Sequence, residues 1–440
     1  MLNRIHIDRR VLVGFMILML VMNAMILFVH WDQIRAGKND FPNFYSMAQM
    51  VREGRAADFA DSGVENSFVR RVSDLPRAPN NHLPYELLIF VPLAYLQFAT
   101  AYILWTLLGL GMLAGVALLM RNFRLGSPGF SLTFLMVLAF FPVWYCLLMG
   151  QDSILLLLLF AFSLRFWKRG KEDAAGFVLA LGLFRPQLVL PFVLVALLGG
   201  KWKFVRGFIP GAVLVVALST WVVGFHGMAD YARILVAQGT EKSAEVLKER
   251  WTVQPEKMAT WRGFLTVCLP EWIPASFRVF LVLFGTFTGL LWAAKRMRSA
   301  RDEETFDLAF AFAVAVVTLV SFHSFLYDFS LMILPVLIAG AIVVSSVRVP
   351  ARSAYLVLTF GFLFFLTPLY FELRRTDKVG LFFLPASAAI WLMSRWRKST
   401  SPVAPGDRPL PSLQQRFDQG RAPCHATALS LSLHRGKPDK

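Results

Sequence analysis

Apolar residues along the chain form continuous blocks of about 20 residues, the length that a helix needs to cross a bilayer. Polar and charged stretches separate these blocks. A segment in lipid must satisfy its own backbone hydrogen bonds, and continuous blocks are unlike the alternating strands of a membrane barrel. The pattern therefore predicts an all-α, polytopic transmembrane protein.

The blocks predict about twelve transmembrane helices. Pro92 interrupts the second block, 87–120, so we expect its first part to lie flat or re-enter before the true span begins. The two predicted spans on either side of residue 185 are short for a bilayer, and such helices often line a cavity. The predicted spans cover 11–30, one within 87–120, 130–148, 152–167, 174–184, 187–199, 206–225, 275–294, 306–322, 329–347, 353–371 and 380–394.

These spans predict one membrane domain, residues 1–398, with two larger polar loops at 31–86 and 226–273. The second loop is expected to contain an amphipathic helix at 244–251. Residues 399–440 are rich in Pro, Ser, Arg and Gly and hold too little apolar surface to fold alone. They are predicted to be a disordered cytoplasmic tail.

Charge patterning predicts the orientation. With the N-terminus inside, the cytoplasmic segments carry a large excess of Lys and Arg over acidic residues, whereas the opposite loops carry equal numbers. The positive-inside rule then favours cytoplasmic termini and an outer face that includes both larger loops. The predicted location is the inner (plasma) membrane. The net charge of +17 is explained by cytoplasmic turns facing anionic lipid. No contiguous basic surface indicates nucleic-acid binding.

Composition agrees with a membrane protein: 56% of residues are hydrophobic, 41 are Phe, and the mean hydropathy is +0.56. The three cysteines, Cys146, Cys268 and Cys424, are far apart, and their spacing indicates no disulfide framework. No metal-ligand spacing is evident either, so the sequence predicts neither a metal site nor a cofactor.

Few charged residues fall within the predicted spans or at their ends: Asp152, Arg185, Arg278, Asp307 and Asp328. Charge at membrane depth is costly and tends to mark function. Arg278 and Asp307 lie near helix ends, where a side chain can reach the surface, so a structural role is the better interpretation for them. The other three are predicted at the outer ends of helices.

Five short polar patterns are expected on this outer face: 40–45 (DFPNFY), 81–86 (NHLPYE), 150–152 (GQD), 184–187 (FRPQ) and 323–328 (HSFLYD). Each alone is more often a solvated loop or a helix end. Their clustering favours a site with Asp40 as the catalytic residue. The predicted substrate-binding residues are Tyr45, His82, Glu86, Gln151, Asp152, Arg185, Gln187, His323 and Asp328.

An outward-facing carboxylate beside an intramembrane arginine suits group transfer from an anionic lipid. Arg185 would bind the phosphate, and Asp40 would deprotonate an incoming hydroxyl. His323 is a candidate to hydrogen-bond the phosphate or the acceptor, although a lone histidine at a helix end is more often structural.

The order of several segments resembles glycosyltransferase family 87, whose members include polyprenyl-phosphate-mannose-dependent mannosyltransferases. The resemblance covers most of residues 11–394 and rests on DFPNFY, LPYELLIFVPLAYL, GQDSILLLLL, AGFVLALGLFRPQ, MATWRGFL and HSFLYDFSLMILP. It implies a GT-C architecture and a polyprenyl-phosphate-linked sugar donor. The implied acceptor is an extracytoplasmic glycan or glycolipid, and the implied sugar is a hexose such as mannose.

The resemblance also implies that an acidic residue of the first outer loop is the general base, which is Asp40 here, and that the anomeric carbon is inverted. Arg185 stands where the family commonly has Lys, which keeps a phosphate-binding cation. Tyr85 and Glu86 replace a common Pro-Pro, which leaves the role of Glu86 open. No metal is demanded by the analogy.

Two other functions remain open at this stage. A transporter or flippase of a lipid-linked saccharide should carry polar residues through the bilayer midplane and internal repeats, whereas the charges here cluster at one face. A structural membrane partner without catalysis would keep its phenotype when Asp40 is replaced by Asn. The sequence identifies neither the sugar nor the acceptor.

Overall fold

The computed structural model describes residues 9–59, 61–75, 82–121, 123, 128–239, 254–345 and 351–396. All regular secondary structure in this part of the chain is helical, which confirms the all-α prediction. The α-helices are α1 Arg9–Val29, α2 Trp31–Arg35, α3 Phe41–Arg52, α4 Ser62–Val69, α5 Leu87–Phe90, α6 Phe98–Met120, α7 Phe130–Ala139, α8 Phe141–Met149, α9 Ser153–Lys168, α10 Glu172–Ala180, α11 Pro186–Leu198, α12 Trp202–Gly239, α13 Trp261–Cys268, α14 Ala275–Ser299, α15 Glu303–Val320, α16 Ile333–Ser345, α17 Ala351–Leu363, α18 Thr367–Arg375 and α19 Phe383–Ser394. Short 3-10 helices lie at Ala56–Asp58, Pro84–Glu86, Val91–Tyr95, Pro255–Lys257, Leu326–Met332 and Val379–Phe382.

Within the described residues, five helices are long and apolar enough to cross a membrane, or up to seven if each of two bent pairs is one span. The bent pairs are α7 with α8, at 63°, and α17 with α18, at 60°. The predicted number of about twelve spans is therefore not confirmed. Several predicted spans correspond to helices of only 9 to 13 residues, as in α10 and α11, which is shorter than a full crossing needs.

The break predicted at Pro92 is present. Pro84–Glu86, α5 and Val91–Tyr95 form short helical turns, the backbone becomes extended at Leu96, and the long helix α6 begins only at Phe98. Proline at the start of a 3-10 turn removes a backbone donor and interrupts the α-helical ladder. The segment preceding α6 is thereby left as a set of turns that carry polar residues.

Helix α12 changes direction at Gly224, whose φ of 72° and ψ of 174° are not helical. Glycine adopts this conformation readily because it has no Cβ. The predicted span, 206–225, ends at this break, but the outer loop predicted to follow begins with helix that continues to Gly239. The predicted amphipathic helix at 244–251 and the predicted tail at 399–440 lie outside the described residues.

Small residues allow α10 and α12 to pack closely. A Cβ on Gly176 would lie 1.9 Å from the carbonyl oxygen of Phe204, and one on Gly207 would lie 2.0 Å from that of Asp173. Close backbone approach at glycine is a common way for helices to associate in membranes. At the centre of the fold, every residue of α15 from Asp307 to Leu319 is buried.

The two charged residues assigned structural roles have local partners. Asp307 lies 3.1 Å from the Lys168 ammonium, and Arg278 donates to the Ile273 carbonyl at 3.1 Å. On the outside of the fold, α1 and α14 expose large apolar side chains such as Phe28 and Phe284. Exposed apolar helix surfaces of this kind suit contact with lipid.

The polar residues predicted on the outer face lie where helices begin, end or break. The start of α3, the turn at Pro84–Glu86, the link between α8 and α9, the link between α10 and α11, and the turn at Leu326–Met332 carry them. Side chains from these five places meet in one buried cluster.

Candidate functional site

Asp40 is positioned by the packing of α3 against the end of α8. Its backbone N–H donates to the Met149 carbonyl at 3.1 Å. Next to that contact, Gly150 ends α8 with φ of 67°, and a Cβ there would lie only 2.6 Å from Cβ of Phe41. Asp40 is the N-cap residue of α3, yet its side chain does not cap the helix. The carboxylate therefore points to a partner outside α3.

That partner is Gln151. Its side-chain Nε2 donates to Asp40 Oδ2 at 2.8 Å, and its Oε1 accepts a hydrogen bond from Nη2 of Arg185. Asp40 is half-buried, whereas Arg185 is only 2% exposed. The Gln151 amide thus connects a carboxylate near the surface to a fully enclosed guanidinium.

Arg185 is the centre of the cluster. Its Nε donates to Asp152 Oδ1 at 2.8 Å, Nη2 also contacts Oδ1, and Nη1 lies 3.4 Å from Asp328 Oδ1. The guanidinium also lies over the Tyr327 ring, 5.2 Å from its centroid. A buried charge is tolerated only when it is paired and hydrogen-bonded, and these contacts supply both. Burial acts against the charged form, but the two carboxylates raise the pKa of Arg185 well above its usual value.

Asp328 is held by the turn that carries it and by the start of α9. Ser153 Oγ donates to Oδ1 at 2.8 Å, and the Phe325 backbone N–H and Ser324 Oγ donate to Oδ2 at 3.0 and 3.3 Å. Both oxygens of this buried carboxylate are therefore hydrogen-bonded by the protein.

His82 and Glu86 join the same cluster through Asp152. Nδ1 of His82 lies 2.6 Å from Glu86 Oε2 and 3.2 Å from Asp152 Oδ2. Burial would raise the pKa of Asp152, but the Arg185 and His82 charges hold it well below its usual range. Burial and the Asp152 charge raise the pKa of Glu86. Burial would lower the pKa of His82, but the neighbouring carboxylates raise it.

His323 lies beside the cluster, and Gln187 closely follows Arg185 in the chain. His323 is buried, and its ring packs edge-on against Phe325 at 5.2 Å. Burial and the charges of Arg185 and Arg262 lower the pKa of His323 to about 3, so its imidazole is neutral near pH 7. Gln187 is buried in the first turn of α11, two residues after Arg185.

Tyr45 belongs to a separate aromatic cluster beneath α3. Its hydroxyl donates to the Leu96 carbonyl at 2.6 Å, and its ring packs edge-on against Phe98 at 5.4 Å. These contacts fix α3 to the turns before α6. Tyr45 therefore supports the helix that begins at Asp40, and its hydroxyl is engaged there.

One basic residue near Asp40 was missed at the sequence level. Arg374, in the last turn of α18, donates from Nη1 to the Tyr145 hydroxyl at 2.8 Å, and it interacts electrostatically with Asp40. The rings of Tyr145 and Tyr327 stack at 6.4 Å with an interplanar angle of 7°. Two cations thus bracket this stacked ring pair, because Arg185 lies over Tyr327 and Arg374 over Tyr145.

Arg374 lies in the short polar segment between the predicted spans 353–371 and 380–394, and nothing in its local sequence distinguishes it from Arg375. It follows the bend of 60° between α17 and α18, which the sequence did not predict. Tyr145 and Tyr327 were also missed, because both are aromatic residues in apolar surroundings.

The sequence profile of glycosyltransferase family 87 matches residues 84–324, which is more than half of the chain. No curated protein and no solved structure matches the chain. The matched region contains most of the cluster, including Glu86, Gln151, Asp152 and Arg185, whereas Asp40 precedes it and Asp328 follows it.

Proposed function

Since the chain belongs to glycosyltransferase family 87, we propose that it transfers a hexose, with mannose as the first candidate, from a polyprenyl-phosphate carrier. The proposed acceptor is a hydroxyl of a glycan or glycolipid outside the cytoplasm. The reaction takes place on the outer face of the inner membrane, with both termini inside. This orientation follows from the distribution of Lys and Arg in the sequence.

The observation that carries the proposal is the placement of Asp40. Its carboxylate is half-buried and accepts a hydrogen bond from Gln151, while Arg185, Asp152 and Asp328 behind it are enclosed. A general base must reach the proton that it accepts. Of the three carboxylates, those of Asp40, Asp152 and Asp328, that of Asp40 is the one that an acceptor can approach.

In the proposed reaction, the acceptor oxygen attacks the anomeric carbon as Asp40 takes the hydroxyl proton. A new C–O bond forms, and the bond between the anomeric carbon and the phosphate oxygen breaks. The electron pair leaves with the polyprenyl phosphate. One direct displacement inverts the anomeric configuration, and no oxidant or reductant is needed.

The two arginines have different surroundings. The guanidinium of Arg185 is engaged by Asp152, Asp328 and Gln151. These contacts favour a role in holding the cluster together and in contributing positive electrostatic potential at the site. Its direct contact with phosphate stays a prediction. Arg374 donates to a neutral tyrosine hydroxyl instead of a carboxylate. In this contact its positive charge is not neutralised by a carboxylate and can stabilise a leaving phosphate. We therefore assign Arg374 to phosphate binding.

The remaining predicted residues receive supporting roles. His323, neutral and beside the cluster, is assigned to hydrogen bonding with the acceptor or the phosphate, and Gln187 lines the same region near Arg185. His82 and Glu86 sit behind Asp152 and hold the turn before α6 against α9. Tyr45 supports α3.

The test is sugar transfer by the purified chain in lipid nanodiscs. A panel of radiolabelled polyprenyl-phosphate hexoses is supplied with a membrane extract as acceptor, and wild type is compared with Asp40→Asn. The matched control is Asp32→Asn, the same change at an exposed residue of α2 in the same outer segment.

We expect transfer by wild type and Asp32→Asn, and its loss in Asp40→Asn with donor binding retained. Equal transfer by Asp40→Asn would reject Asp40 as base. If no donor is used by any variant while labelled lipid-linked sugar crosses sealed vesicles, the chain acts as a flippase.

A further inference from the structure

His82, Glu86 and Asp152 place three potential ligand atoms within 4.8 Å of one another. We propose that they form a binding site for one divalent transition-metal ion, of the Zn²⁺ or Mn²⁺ class. The site lies behind the candidate catalytic residue, and it does not depend on which sugar or acceptor is used. It thus goes beyond the proposed function.

The local fold assembles this site from two distant segments. His82 lies two residues before the 3-10 turn at Pro84–Glu86, Glu86 is the last residue of that turn, and their side chains meet. Asp152 precedes α9 as its N-cap residue but does not cap it. Its carboxylate is therefore available to face the turn, and all three side chains are buried.

The ligand atoms lie nearly as far apart as those around a shared cation, with the His82–Glu86 pair closer than such a cation allows. Nδ1 of His82 is 2.6 Å from Glu86 Oε2 and 3.2 Å from Asp152 Oδ2. Ligand atoms about 2.1 Å from a common Zn²⁺ ion are separated by roughly 3 to 3.5 Å. Small adjustments of these side chains would complete the geometry.

Two buried carboxylate oxygens here are poorly satisfied: Glu86 Oε1 has no hydrogen-bond partner, and Asp152 Oδ2 shares Nδ1 of His82 with Glu86 Oε2. Buried carboxylate oxygens are usually hydrogen-bonded, and an unpaired one costs free energy. His82 can donate only one proton from Nδ1, so it cannot serve both carboxylates. A cation can contact all three residues at once.

Charge balance supports the same conclusion. Three buried carboxylates, those of Glu86, Asp152 and Asp328, share this region with one guanidinium, that of Arg185. With the carboxylates ionised and His82 neutral, as a metal-bound imidazole is, two negative charges remain, which one divalent ion would balance. Arg185 binds Oδ1 of Asp152 and leaves Oδ2 facing His82. This arrangement resembles the hydrogen-bonded outer shell that orients metal ligands.

The donor set selects the class of ion. One imidazole nitrogen with two carboxylate oxygens suits Zn²⁺ or Mn²⁺ better than Ca²⁺, which takes six to eight oxygens. Three protein ligands also leave a coordination position for water. The main effect expected of the ion is to fasten the turn before α6 to the start of α9.

The experiment measures metal directly. The chain is purified without a polyhistidine tag, stripped with chelator, loaded separately with Zn²⁺ and Mn²⁺, desalted and analysed by plasma mass spectrometry. We expect about one ion per chain in wild type. Glu86→Gln keeps the side-chain shape but removes the charge, and should lose most of the ion. Asp307→Asn, a buried carboxylate bound to Lys168 elsewhere in the fold, should retain it.

A second measurement does not need a variant. Titrating stripped wild type with Co²⁺ should produce visible absorption that saturates at about one equivalent, and Zn²⁺ should raise the melting temperature by mass action. Absence of stoichiometric metal and of any spectral or thermal change in wild type would overturn the site. Equal metal in wild type and Glu86→Gln would overturn it as well. None of these measurements uses sugar transfer, so failure here leaves the proposed function standing.

Discussion

Asp40 and Arg185, which belong to distant segments of the chain, are joined by a single side chain. Gln151 donates to the Asp40 carboxylate at 2.8 Å and accepts from Arg185 through its amide oxygen. A guanidinium only donates and an ionised carboxylate only accepts, so these two neighbours fix the orientation of the amide. Gln151 thereby sets the position of the proposed base relative to the buried cation.

Replacing Gln151 by Glu should impair turnover more than donor binding. The change removes the donor to Asp40 and places a second negative charge beside it. Loss of one charge-assisted hydrogen bond corresponds to a decrease in kcat of about 10- to 100-fold. Steady-state kinetics with the preferred donor give kcat and KM separately. Gln33→Glu, on exposed α2, is the matched control, and a change confined to KM in Gln151→Glu would contradict the positioning role.

Arg185→Met should strongly destabilise the fold. It leaves Asp152 and Asp328 as uncompensated buried charges, and breaking a buried ion pair in this way costs on the order of 3 kcal/mol. Thermal melting in detergent measures the effect. Arg206→Met removes an ion pair to Asp173 at the surface and should melt like wild type. Equal melting temperatures for the two variants would show that the Arg185 cluster is not a stabilising unit.

Arg374→Gln should weaken donor binding if Arg374 contacts the phosphate. Loss of a hydrogen bond from a charged group predicts a rise in the donor KM of about 10-fold or more. Arg375→Gln is the control, because this neighbouring side chain is exposed and paired with Glu372. Titration of both variants with a polyprenyl-phosphate sugar distinguishes them. Identical donor KM values would remove Arg374 from the phosphate site.

Stability should fall with acid between pH 6.5 and 3 because of His323. Its pKa is about 3 in the fold and about 6.5 when unfolded. In that interval the unfolded chain binds a proton that the folded chain does not bind, so unfolding becomes easier as the pH decreases. From pH 7 to pH 5, this group alone predicts a loss of about 2 kcal/mol.

The check is the free energy of unfolding in mixed micelles at pH 7 and pH 5. His323→Gln should lose less stability over this interval than wild type, whereas His226→Gln, at an exposed position in α12, should behave like wild type. The same acid dependence in all three proteins would assign the effect to other groups.

Gly150→Ala should reduce both stability and transfer. The substitution adds a Cβ at a φ of 67° and within 2.6 Å of Phe41, next to Asp40. Gly170→Ala separates the two effects, because Gly170 has a similar φ of 74° but open space around it. Backbone strain alone costs about 1 kcal/mol, so Gly150→Ala should melt lower than Gly170→Ala. If both variants transfer sugar equally well, the contact between α3 and α8 does not position Asp40.

Several features of the fold were accessible from the sequence. Continuous apolar blocks predicted helices, Pro92 marked the break before α6, and the brevity of α10 and α11 was evident. The count of full spans was not accessible, because a bent pair of half-helices such as α7 and α8 has the same composition as one or two crossings. Hydrophobicity indicates that a segment is removed from water, but not whether the chain crosses the membrane or turns back within it.

For the cluster, the sequence indicated residues but not their pairing. Asp152, Arg185 and Asp328 stood out as charges in apolar surroundings. Their mutual contacts depend on how the ends of distant helices meet in space. The hydrophobic periodicity of each segment carries no information about that. The four-residue spacing of His82 and Glu86 was not recognised as metal-ligand spacing, and the third residue of that group, Asp152, comes from another segment. Arg374 had no signal at all.

The separation of 33 residues between Asp152 and Arg185 also bears on how the protein is made. Both charges leave the ribosome with α9 and α10 and reach the membrane together, before Asp328 has been translated. Pairing lowers the free energy of inserting each charge. A counter-ion in the adjacent helix region would therefore lower the free energy of inserting Arg185 at a time when Asp328 is not yet present.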